Sequence, residues 1–382
     1  MSRSMTVVLA PDKFKGCLDA PAVAAALAAG IASVAPSAIV RVAPVADGGE
    51  GTLAAVLAAG WHPVTAPATG PVGNPLDVMY ARRGQVALIE SATVAGLGVL
   101  PAGSLRPLEA GTHGLGQVVA HALDGGASEI VIGLGGSAGT DGGAGLLTGL
   151  GARVLDALGR ELPGGGAALR DAAQLDLSRL HPRAHAARFT FLCDVDNPLL
   201  GPRGAAGVYG PQKGANPDQV RLLEAGLTRW AALLRSSTGH VVADLAGAGA
   251  AGGTPAGALA VLGARLRPGI DAVLELIGFA DIVRGADVVI TGEGRLDDQT
   301  LHGKAPAGVA VAARAAGAAV HAVAGACTLD AEALRAAGFA GVHALTDLAP
   351  DADTAIRDAA PLLRRVGATI ASDHLVRSGE TA

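Results

Sequence analysis

The stretch Gly133-Leu-Gly-Gly-Ser-Ala-Gly-Thr-Asp-Gly-Gly-Ala-Gly145 is a glycine-rich segment between two apolar ones. Residues 129–132 before it predict a buried strand, and residues 146–155 after it predict a helix with an apolar face. Glycine lets the backbone approach a ligand closely, the N–H groups at a helix start favour an anion, and Thr140 or Asp141 could cap the helix. The stretch therefore predicts a phosphate or carboxylate site. In a chain so rich in Ala and Gly, it also fits a plain tight turn.

Length and charge limit the classes to which this chain can belong. With 382 residues, half of them apolar, the chain is long enough for two domains with large cores. The formal net charge is -5 and the basic residues form no block, which argues against nucleic acid as a partner. The composition therefore predicts a globular protein whose main partner is not nucleic acid.

Cysteine content and hydropathy indicate a compartment. The three cysteines, Cys17, Cys193 and Cys327, are few, odd in number and far apart, as is typical of a reduced cytosolic protein. Residues 1–5 lack the apolar core of a signal peptide, and residues 22–35 are too short and too weakly apolar to span a bilayer. We therefore expect a soluble cytoplasmic protein with no membrane partner.

Lysine is rare in this chain, with four lysines among 29 basic residues. Arginine is the default cation, and its planar guanidinium cannot replace a compact, flexible ammonium group. All four lysines lie in or beside loops rich in Gly, Pro or Asp: Lys13, Lys15, Lys213 and Lys304. We therefore interpret the lysines as candidates for function.

Predicted strands and helices alternate along the whole chain. The predicted strands are 6–10, 39–45, 86–90, 129–132, 189–193, 287–291, 320–324 and 341–345. The predicted helices are 20–34, 53–59, 111–123, 146–155, 217–236, 330–337 and 354–374. Residues 158–188 predict a loop and a short helix, residues 246–257 a second glycine-rich loop, and residues 69–75 a crossover between domains. This alternation predicts an α/β protein of the Rossmann or flavodoxin-like type, with mostly parallel sheets flanked by helices.

Acidic side chains recur where predicted strands end: Asp12, Asp47, Glu90, Asp194, Asp196 and Glu293. The carboxyl ends of parallel strands meet at one edge of a sheet, and ligands bind there. We therefore expect these carboxylates to converge on one site.

Several familiar signatures are missing. No G-x-G-x-x-G follows the first strand, Gly303-Lys304 lacks the rest of a Walker A loop, and no G-x-S-x-G elbow occurs. The histidines His113, His121, His302 and His343 are not at metal-ligand spacing. Carboxylates, lysines and glycine loops remain, and phosphoryl transfer uses that combination around a nucleotide and Mg²⁺.

Six motifs, in family order, resemble those of the bacterial type 1 glycerate kinases over about residues 5–375. They are Ala10-Pro-Asp-Lys-Phe-Lys-Gly16, Ala46-Asp-Gly-Gly-Glu-Gly-Thr52, Gly135-Gly-Ser-Ala with Asp141-Gly-Gly-Ala-Gly145, Cys193-Asp-Val-Asp-Asn-Pro198, Gly210-Pro-Gln-Lys-Gly214, and Ile290-Thr-Gly-Glu-Gly-Arg295 with Gln299-Thr-Leu-His-Gly-Lys304. The family often has Ser in place of Lys13 and Asn near Thr140, which leaves Lys15 as the better candidate.

The resemblance implies an activity and a domain arrangement. The activity is ATP-dependent phosphorylation of D-glycerate, usually at the 2-hydroxyl, with Mg²⁺ as cofactor. The family fold has a second α/β domain inserted into the first, with the site in the cleft between them. For this chain we expect domains at 1–70 plus 286–382 and at 71–285, in a monomer or homodimer. A non-catalytic sugar-acid or nucleotide sensor, and an NAD-dependent hydroxyacid dehydrogenase without its fingerprint, remain as alternatives.

The resemblance also implies roles for residues in each motif. The catalytic set is Lys15, Asp194 and Asp196. The substrate-binding set is Asp47, Gly48, Gly49, Glu293 and Arg295. The nucleotide-binding set is Gly135, Gly136, Ser137, Asp141, Gly142, Gln212, Lys213 and Lys304. The Mg²⁺ ligands are Asp196 and Asp297.

Each role has a plainer alternative. Asp194 or Asp196 would be the base that orients the 2-hydroxyl, but the same residues fit an Asx turn before Pro198. Arg295 would grip the glycerate carboxylate through two hydrogen bonds, but it also fits an ion pair within the fold. Gln212 and Lys213 would reach the phosphates, or lie on an exposed loop.

Overall fold

The computed structural model describes residues 4–101 and 104–376, apart from the side chain of His302. The start of the chain that we considered for a signal peptide lies partly outside the described residues, at 1–3. The strands are β1 (Thr6–Pro11), β2 (Ile39–Val42), β3 (His62–Thr69), β4 (Pro75–Arg83), β5 (Val86–Glu90), β6 (Glu129–Gly133), β7 (Arg153–Leu155), β8 (Gln174–Asp176), β9 (Arg188–Leu192), β10 (Arg265–Arg267), β11 (Val288–Leu296), β12 (Ala319–Cys327) and β13 (Gly341–Ala344).

The helices are α1 (Ala20–Val34), α2 (Thr52–Ala58), α3 (Ala92–Ala95), α4 (His113–Asp124), α5 (Ala144–Gly149), α6 (Ala205–Tyr209), α7 (Pro217–Thr238), α8 (Ala250–Val261), α9 (Gly269–Ile277), α10 (Phe279–Ile282), α11 (Ala305–Ala315), α12 (Ala331–Ala336), α13 (Ala352–Arg357) and α14 (Ala359–His374). Short 3-10 helices lie at Leu97–Val99, Gly166–Asp171, Pro211–Lys213, Thr300–His302 and Leu345–Asp347. Within the described residues, no helix combines the length and the hydropathy needed to cross a membrane.

The chain forms two compact units, and the first is discontinuous. Unit 1 consists of Met1–Asp47, Ala54–Gly60 and Pro268–Ala382. Its five strands pair in the order β13-β12-β11-β1-β2, and every pairing is parallel. β1 and β11 are buried in the middle of this sheet, as their apolar sequences require. The sheet therefore brings the two ends of the chain together.

Two glycines let helices α1 and α14 of unit 1 pack closely. A Cβ at Gly30 on α1 would lie 2.0 Å from the backbone oxygen of Arg364 on α14. A Cβ at Gly367 on α14 would lie 2.4 Å from the backbone oxygen of Leu27. Glycine is therefore required where the two backbones touch, and the apolar side chains around this crossing form the core of unit 1.

Unit 2 consists of Gly48–Leu53 and Trp61–Arg267. Its main sheet has the order β10-β9-β6-β5-β4-β3, parallel from β10 to β5 and antiparallel over β5, β4 and β3. β7 and β8 form a separate antiparallel pair. Trp230, Tyr80 and Phe191 are among the largest side chains in its core. The predicted α/β class, with mostly parallel sheets flanked by helices, is therefore confirmed.

The predicted crossover at residues 69–75 is wrong, because this segment is the turn of the β3–β4 hairpin. The Gly70 N–H donates to the Asn74 oxygen at 2.7 Å, and Gly73 has a φ of +86°. Pro63 and Pro67 in β3 hid this edge strand from the sequence prediction. The units therefore divide at residues 47/48, 53/54, 60/61 and 267/268, whereas the predicted boundaries were 70/71 and 285/286.

Two other predicted elements differ from the structure at glycines. The predicted helix 146–155 ends at Gly149, and Arg153–Leu155 is strand β7, because Gly151 turns the chain with a φ of +99°. The predicted loop 246–257 is partly helical, since α8 begins at Ala250. Its first turn is broken at Ala251, Gly252 and Gly253, which all have positive φ. In an Ala- and Gly-rich segment, the sequence does not show which glycines interrupt a helix.

Three histidines of unit 1 form a cluster that their sequence positions did not predict. The rings of His321 on β12 and His343 on β13 are stacked with centroids 5.9 Å apart, and His374 at the end of α14 lies 4.4 Å from His321. His321 is 2% exposed, and neither of its ring nitrogens has a partner among the described residues. Burial first, and the neighbouring His374 and His343 next, lower the pKa of His321 to about 4, while Asp373 opposes the shift. Burial also lowers the pKa of His343, so the uncharged imidazole is favoured at His321 and His343.

We predict that this cluster makes the protein sensitive to acid. A histidine whose pKa is lowered in the folded state supports stability above its unfolded pKa of about 6.5, and this support is lost as pH falls towards 4. His321→Leu should therefore reduce the loss of unfolding free energy between pH 7 and pH 4.5 by about 2 kcal/mol. Urea unfolding at the two pH values measures this difference, with His62→Leu on exposed β3 as the control. An equal loss in wild type and His321→Leu would contradict the prediction.

Candidate active site

The glycine-rich segment Gly133–Gly145 contacts the Gly48–Gly49 motif within unit 2. A Cβ at Gly133 would lie 2.7 Å from the Gly48 oxygen, and a Cβ at Gly135 would lie 3.3 Å from the Gly49 Cα. Gly48 also has a φ of +91°. The two motifs therefore touch through backbone alone, and a side chain at Gly133 would push them apart. The structure brings together Gly48, Gly49 and Gly135.

Glu90 binds the backbone at the start of α2, directly after the Gly48–Gly49 motif. The residue is 5% exposed, and its Oε2 accepts hydrogen bonds from the N–H groups of Gly51 at 3.2 Å and Leu53 at 3.0 Å. These N–H groups lack helical partners at the start of α2, so the carboxylate takes the place of a cap. Glu90 therefore holds the start of α2, which follows the Gly48–Gly49 motif.

Asp141 is bound within its own loop. The side chain is 2% exposed, and its oxygens accept hydrogen bonds from the Thr112 N–H at 2.8 Å, the Thr112 hydroxyl at 2.9 Å, and the N–H groups of Gly143 and Gly145 at 3.2 Å. The Thr112 hydroxyl in turn accepts from the Leu146 N–H at 2.8 Å. Asp141 satisfies the start of α5, although Gly143 is the cap residue itself. The structure therefore favours a supporting role over direct nucleotide contact.

Gly142, also predicted to bind nucleotide, is fixed on both sides of its peptide. Its N–H donates to the Gly252 oxygen at 3.1 Å, and its oxygen accepts from the Trp230 indole at 2.9 Å. Of the remaining predicted nucleotide contacts in this loop, Gly136 is exposed, and Gly135 and Ser137 are partly exposed. These three residues are therefore the predicted contacts that are open to a ligand.

Lys213 points into the protein, whereas the sequence predicted that it reaches phosphates. It is 1% exposed, and its Nζ donates to the Gly139 oxygen and lies 3.5 Å from the Thr140 hydroxyl. Burial lowers the pKa of Lys213 to about 7, against the attraction of Asp141. Its neighbour Gln212 is exposed. In the Gly210–Gly214 motif, therefore, Gln212 and not Lys213 is open to solvent.

A carboxylate cluster lies in unit 1 where β1 ends beside β11. Asp12 directly follows β1 and is 6% exposed, with its Oδ1 accepting from the Lys13 N–H at 2.6 Å. Burial raises the pKa of Asp12 to about 7, the Lys13 ammonium lowers it, and the charges of Asp47 and Glu293 raise it further. Of the six carboxylates that we expected to converge, Asp12, Asp47 and Glu293 therefore lie close enough in unit 1 for their charges to interact.

Glu293 lies inside β11, since this strand continues to Leu296, and not after a strand as predicted. Its Oε1 accepts from the Thr300 hydroxyl at 2.6 Å, and its Oε2 lies 3.8 Å from the Lys304 ammonium. Burial raises the pKa of Glu293. The Lys304 ammonium also lies 4.0 Å from Asp297, whose Oδ2 is 3.7 Å from the Arg295 guanidinium. Glu293, Arg295 and Asp297 therefore form one charged network, and Lys304, which was predicted separately as a nucleotide contact, links it together.

Lys15 and the two aspartates after β9 are exposed. The Lys15 backbone N lies 3.3 Å from where a Cβ of Gly294 would be, so the Lys13–Lys15 loop runs against β11. In unit 2, Asp194 is exposed, and Asp196 forms an exposed ion pair with Arg203 at 2.9 Å. A common site for these aspartates and the unit 1 residues stays a prediction.

Some residues of these networks were not predicted. Asp12 follows a predicted strand, but the sequence alone does not indicate a role for it. Thr112 and Thr300 hold Asp141 and Glu293, and nothing in their sequence positions indicates this. Within residues 4–101 and 104–376, no group of three or more His, Cys, Asp or Glu side chains is arranged to hold a metal ion. The Mg²⁺ ligands therefore also stay a prediction.

We predict that the loop before α5 tolerates no side chain at Gly143. Its φ is +76°, and an added Cβ would lie 2.3 Å from the Thr254 oxygen. Gly159 has the same φ of +76° with nothing near its Cβ position, so it controls for backbone strain alone. Gly143→Ala should therefore lower the unfolding free energy by about 2 kcal/mol more than Gly159→Ala, as measured by urea unfolding. Equal losses in the two variants would show that the close contact with Thr254 is unimportant.

Comparisons with known proteins agree with this fold and these motifs. The model of the glycerate kinase family matches residues 7–375. Glycerate kinase of Bacillus subtilis (strain 168) is 41% identical over 371 residues, covering 96% of this chain and 97% of the relative. Glycerate 2-kinase of Escherichia coli (strain K12) is 38% identical over 377 residues, covering 96% of this chain and 97% of the relative.

A solved structure is similar over nearly the whole chain. A crystal structure of a protein from Salmonella typhimurium LT2, assigned as glycerate kinase 2, has a TM-score of 0.85 and 39% identity. The match covers 97% of this chain and 98% of that one. The predicted resemblance is thereby confirmed, and the chain belongs to the glycerate kinase family.

Proposed function

We propose that this kinase transfers the γ-phosphoryl group of ATP to the 2-hydroxyl of D-glycerate, giving 2-phosphoglycerate and ADP. Family membership makes glycerate the acceptor. The name of the E. coli relative, glycerate 2-kinase, supports the 2-position. We also propose that the protein acts in the cytoplasm, where ATP is available. That the protein is a monomer or homodimer stays a prediction.

The observation that carries the mechanism is the buried carboxylate at the end of β1. Asp12 has a pKa of about 7, so near neutral pH it can take up a proton and release it again. In the proposed step the ionised Asp12 accepts the proton of the 2-hydroxyl while that oxygen forms a bond to the γ-phosphorus. The bond from the γ-phosphorus to the bridging oxygen breaks, and ADP leaves with that electron pair.

Asp12 is a better candidate for this base than the aspartates after β9. Both oxygens of Asp196 accept hydrogen bonds from Arg203, and both residues of this pair are exposed. Asp12, in contrast, is buried beside other carboxylates, an environment that favours its protonated form. We therefore propose Asp12, and not Asp194 or Asp196, as the base.

The cations of unit 1 provide for the negative charges of the substrates. Arg295 is 65% exposed in its side chain, and its planar guanidinium can hold the glycerate carboxylate through two hydrogen bonds. Lys304 is held near Glu293 and Asp297, and Lys15 is exposed on the neighbouring loop. We propose that these ammonium groups neutralise the charge that develops on the transferred phosphoryl group.

The exposed part of the glycine-rich loop, around Gly136 and Ser137, is the proposed contact for the triphosphate, with Gln212 as a further contact. Mg²⁺ would arrive as the complex with ATP and neutralise the charge on its phosphates. Carboxylate oxygens suit this ion, and Asp196 and Asp297 stay the proposed protein ligands. Asp196 is paired with Arg203, and Asp297 lies near Arg295 and Lys304. Each aspartate would therefore have to exchange a cationic partner for the metal.

The activity itself is tested by incubating the purified protein with ATP, MgCl₂ and D-glycerate and by following ADP release. We expect stoichiometric ADP and a phosphorus NMR signal of 2-phosphoglycerate, and slower turnover of L-glycerate. A signal of 3-phosphoglycerate alone would overturn the proposed position. No ADP above the rate without glycerate would overturn the function.

Asp12→Asn should abolish turnover and stabilise the protein at the same time. Loss of a general base lowers kcat by about 10²–10⁴-fold. A raised carboxyl pKa supports stability fully below the unfolded pKa of 3.8, and this support is lost as pH rises through about 7. The unfolding free energy of Asp12→Asn minus that of wild type should therefore be about 1–3 kcal/mol larger at pH 8 than at pH 4.

The control for this variant is Asp353→Asn on exposed α13, which should change neither kcat nor the pH dependence of stability. Asp194→Asn and Asp196→Asn are measured alongside. If one of these two lost activity while Asp12→Asn turned over within a few-fold of wild type, the base would lie in the β9 loop.

A further inference from the structure

Lys213 is one of the few charged or polar side chains that are buried among the residues the structure describes, and a buried lysine needs a specific partner. It ends the 3-10 helix Pro211–Lys213, and its side chain is 1% exposed. Taking an ammonium group out of water is costly, so buried lysines are rare unless a specific partner holds them. Here the partner is a backbone oxygen, that of Gly139, with the Thr140 hydroxyl 3.5 Å away.

The segments around this ammonium are shaped to receive it. Gly252 has a φ of +74°, and a Cβ there would lie 2.8 Å from the Lys213 Nζ and 2.1 Å from the Gly139 oxygen. The Gly252 oxygen also accepts from the Gly142 N–H at 3.1 Å. Gly214, with a φ of +91°, turns the chain directly after the lysine, against the side chain of Leu105. Any side chain at Gly252 would therefore displace either the ammonium or the Gly139 peptide.

The hydrogen bond from Lys213 fixes the orientation of one peptide group. In a trans peptide the C=O and the following N–H point in opposite directions. With the Gly139 oxygen bound to Nζ, the Thr140 N–H must point away from the lysine. A peptide after glycine can otherwise rotate at little cost, because glycine lacks a Cβ. Two residues later, Asp141 is held by Thr112, Gly143 and Gly145. Its charge attracts the Lys213 ammonium and offsets part of the cost of burial.

We infer that Lys213 is a positioning residue that never touches the nucleotide: it locks the Gly139–Thr140 peptide, so that the glycine-rich loop keeps the shape that binds the triphosphate. This inference rests on the proposed function of that loop. It differs from the sequence prediction, in which the same ammonium bound the phosphates directly. It also requires that the hydrogen bond to Gly139 exists before ATP binds.

Kinetics separate the lock from a general structural role. Lys213→Met keeps the length and the apolar part of the side chain but removes the donor. We expect its KM for ATP to rise at least tenfold, while kcat and the KM for glycerate stay within threefold. Lys213→Ala should recover the ATP affinity in the presence of propylamine, which replaces the missing atoms. Arg221→Met, which removes an exposed cation on α7, controls for loss of charge and should leave all three constants unchanged.

NMR separates the lock from direct contact with phosphate. The chain has only Lys13, Lys15, Lys213 and Lys304, so a protein labelled with ¹⁵N at Nζ gives four assignable signals. We expect the Lys213 signal to be protected from solvent exchange in the free protein and unchanged by MgATP. A large shift on adding MgATP, or a KM for ATP in Lys213→Met within twofold of wild type, would overturn the inference. So would equal losses in kcat and both KM values.

The outcome can be distinguished from a failure of the proposed function. If wild type releases no ADP, the function fails, and the backbone amide of Thr140 then tests the lock alone. Lys213→Met should shift that amide signal and speed its hydrogen exchange at least tenfold, even without nucleotide. An unchanged Thr140 amide in this variant would overturn the lock whether or not the enzyme is active.

Discussion

The parallel pairing of β1 with β11 is the constraint on which the rest of unit 1 depends. It joins segments that lie 281 positions apart in the chain, as the hydrogen bond from the Thr291 hydroxyl to the Ala10 oxygen shows. Closing so long a loop costs more entropy than closing a short one, but the cost grows only slowly with length. The buried apolar residues of the two strands offset it. A whole second unit can therefore occupy the intervening chain without weakening this sheet.

The same pairing explains why acidic side chains accumulate at one point. Parallel strands deliver their carboxyl ends to the same edge, so Asp12 and Glu293 become neighbours although neither is near the other in sequence. Their mutual repulsion and their burial both favour the protonated acids, and Lys13 and Lys304 only partly compensate. A fold selected for stability alone would not bury carboxylates in this way. The cost is instead typical of a site in which charge serves chemistry.

The parallel framework could be predicted well from the sequence, because short continuous apolar runs indicate buried strands and apolar stripes at helical spacing indicate helices. Glycine-rich loops mark the boundaries between them. Prediction from the sequence failed where local composition and tertiary structure disagree. The β3–β4 hairpin contains prolines and exposed positions that do not look like a strand, yet eight residues of β3 pair with β4. The helix break at Ala251 depends on contacts with a distant loop. For the candidate site, the motifs name candidate residues, but Lys213 shows that a residue type does not reveal which way its side chain turns.

Arginine and Lys213 meet different physical requirements in this fold. In the described part of the chain, most ion pairs between charged side chains use arginine and are at least partly exposed, such as Arg203 with Asp196. Such pairs add little stability and need only a long, permanently charged side chain. Lys213 is buried against Gly252 and donates to one backbone oxygen, whereas a guanidinium there would carry five donors and could not lose its proton. Burial at this position therefore selects an amine, because an amine can be small, can donate to a single carbonyl oxygen, and can become neutral when solvent is excluded.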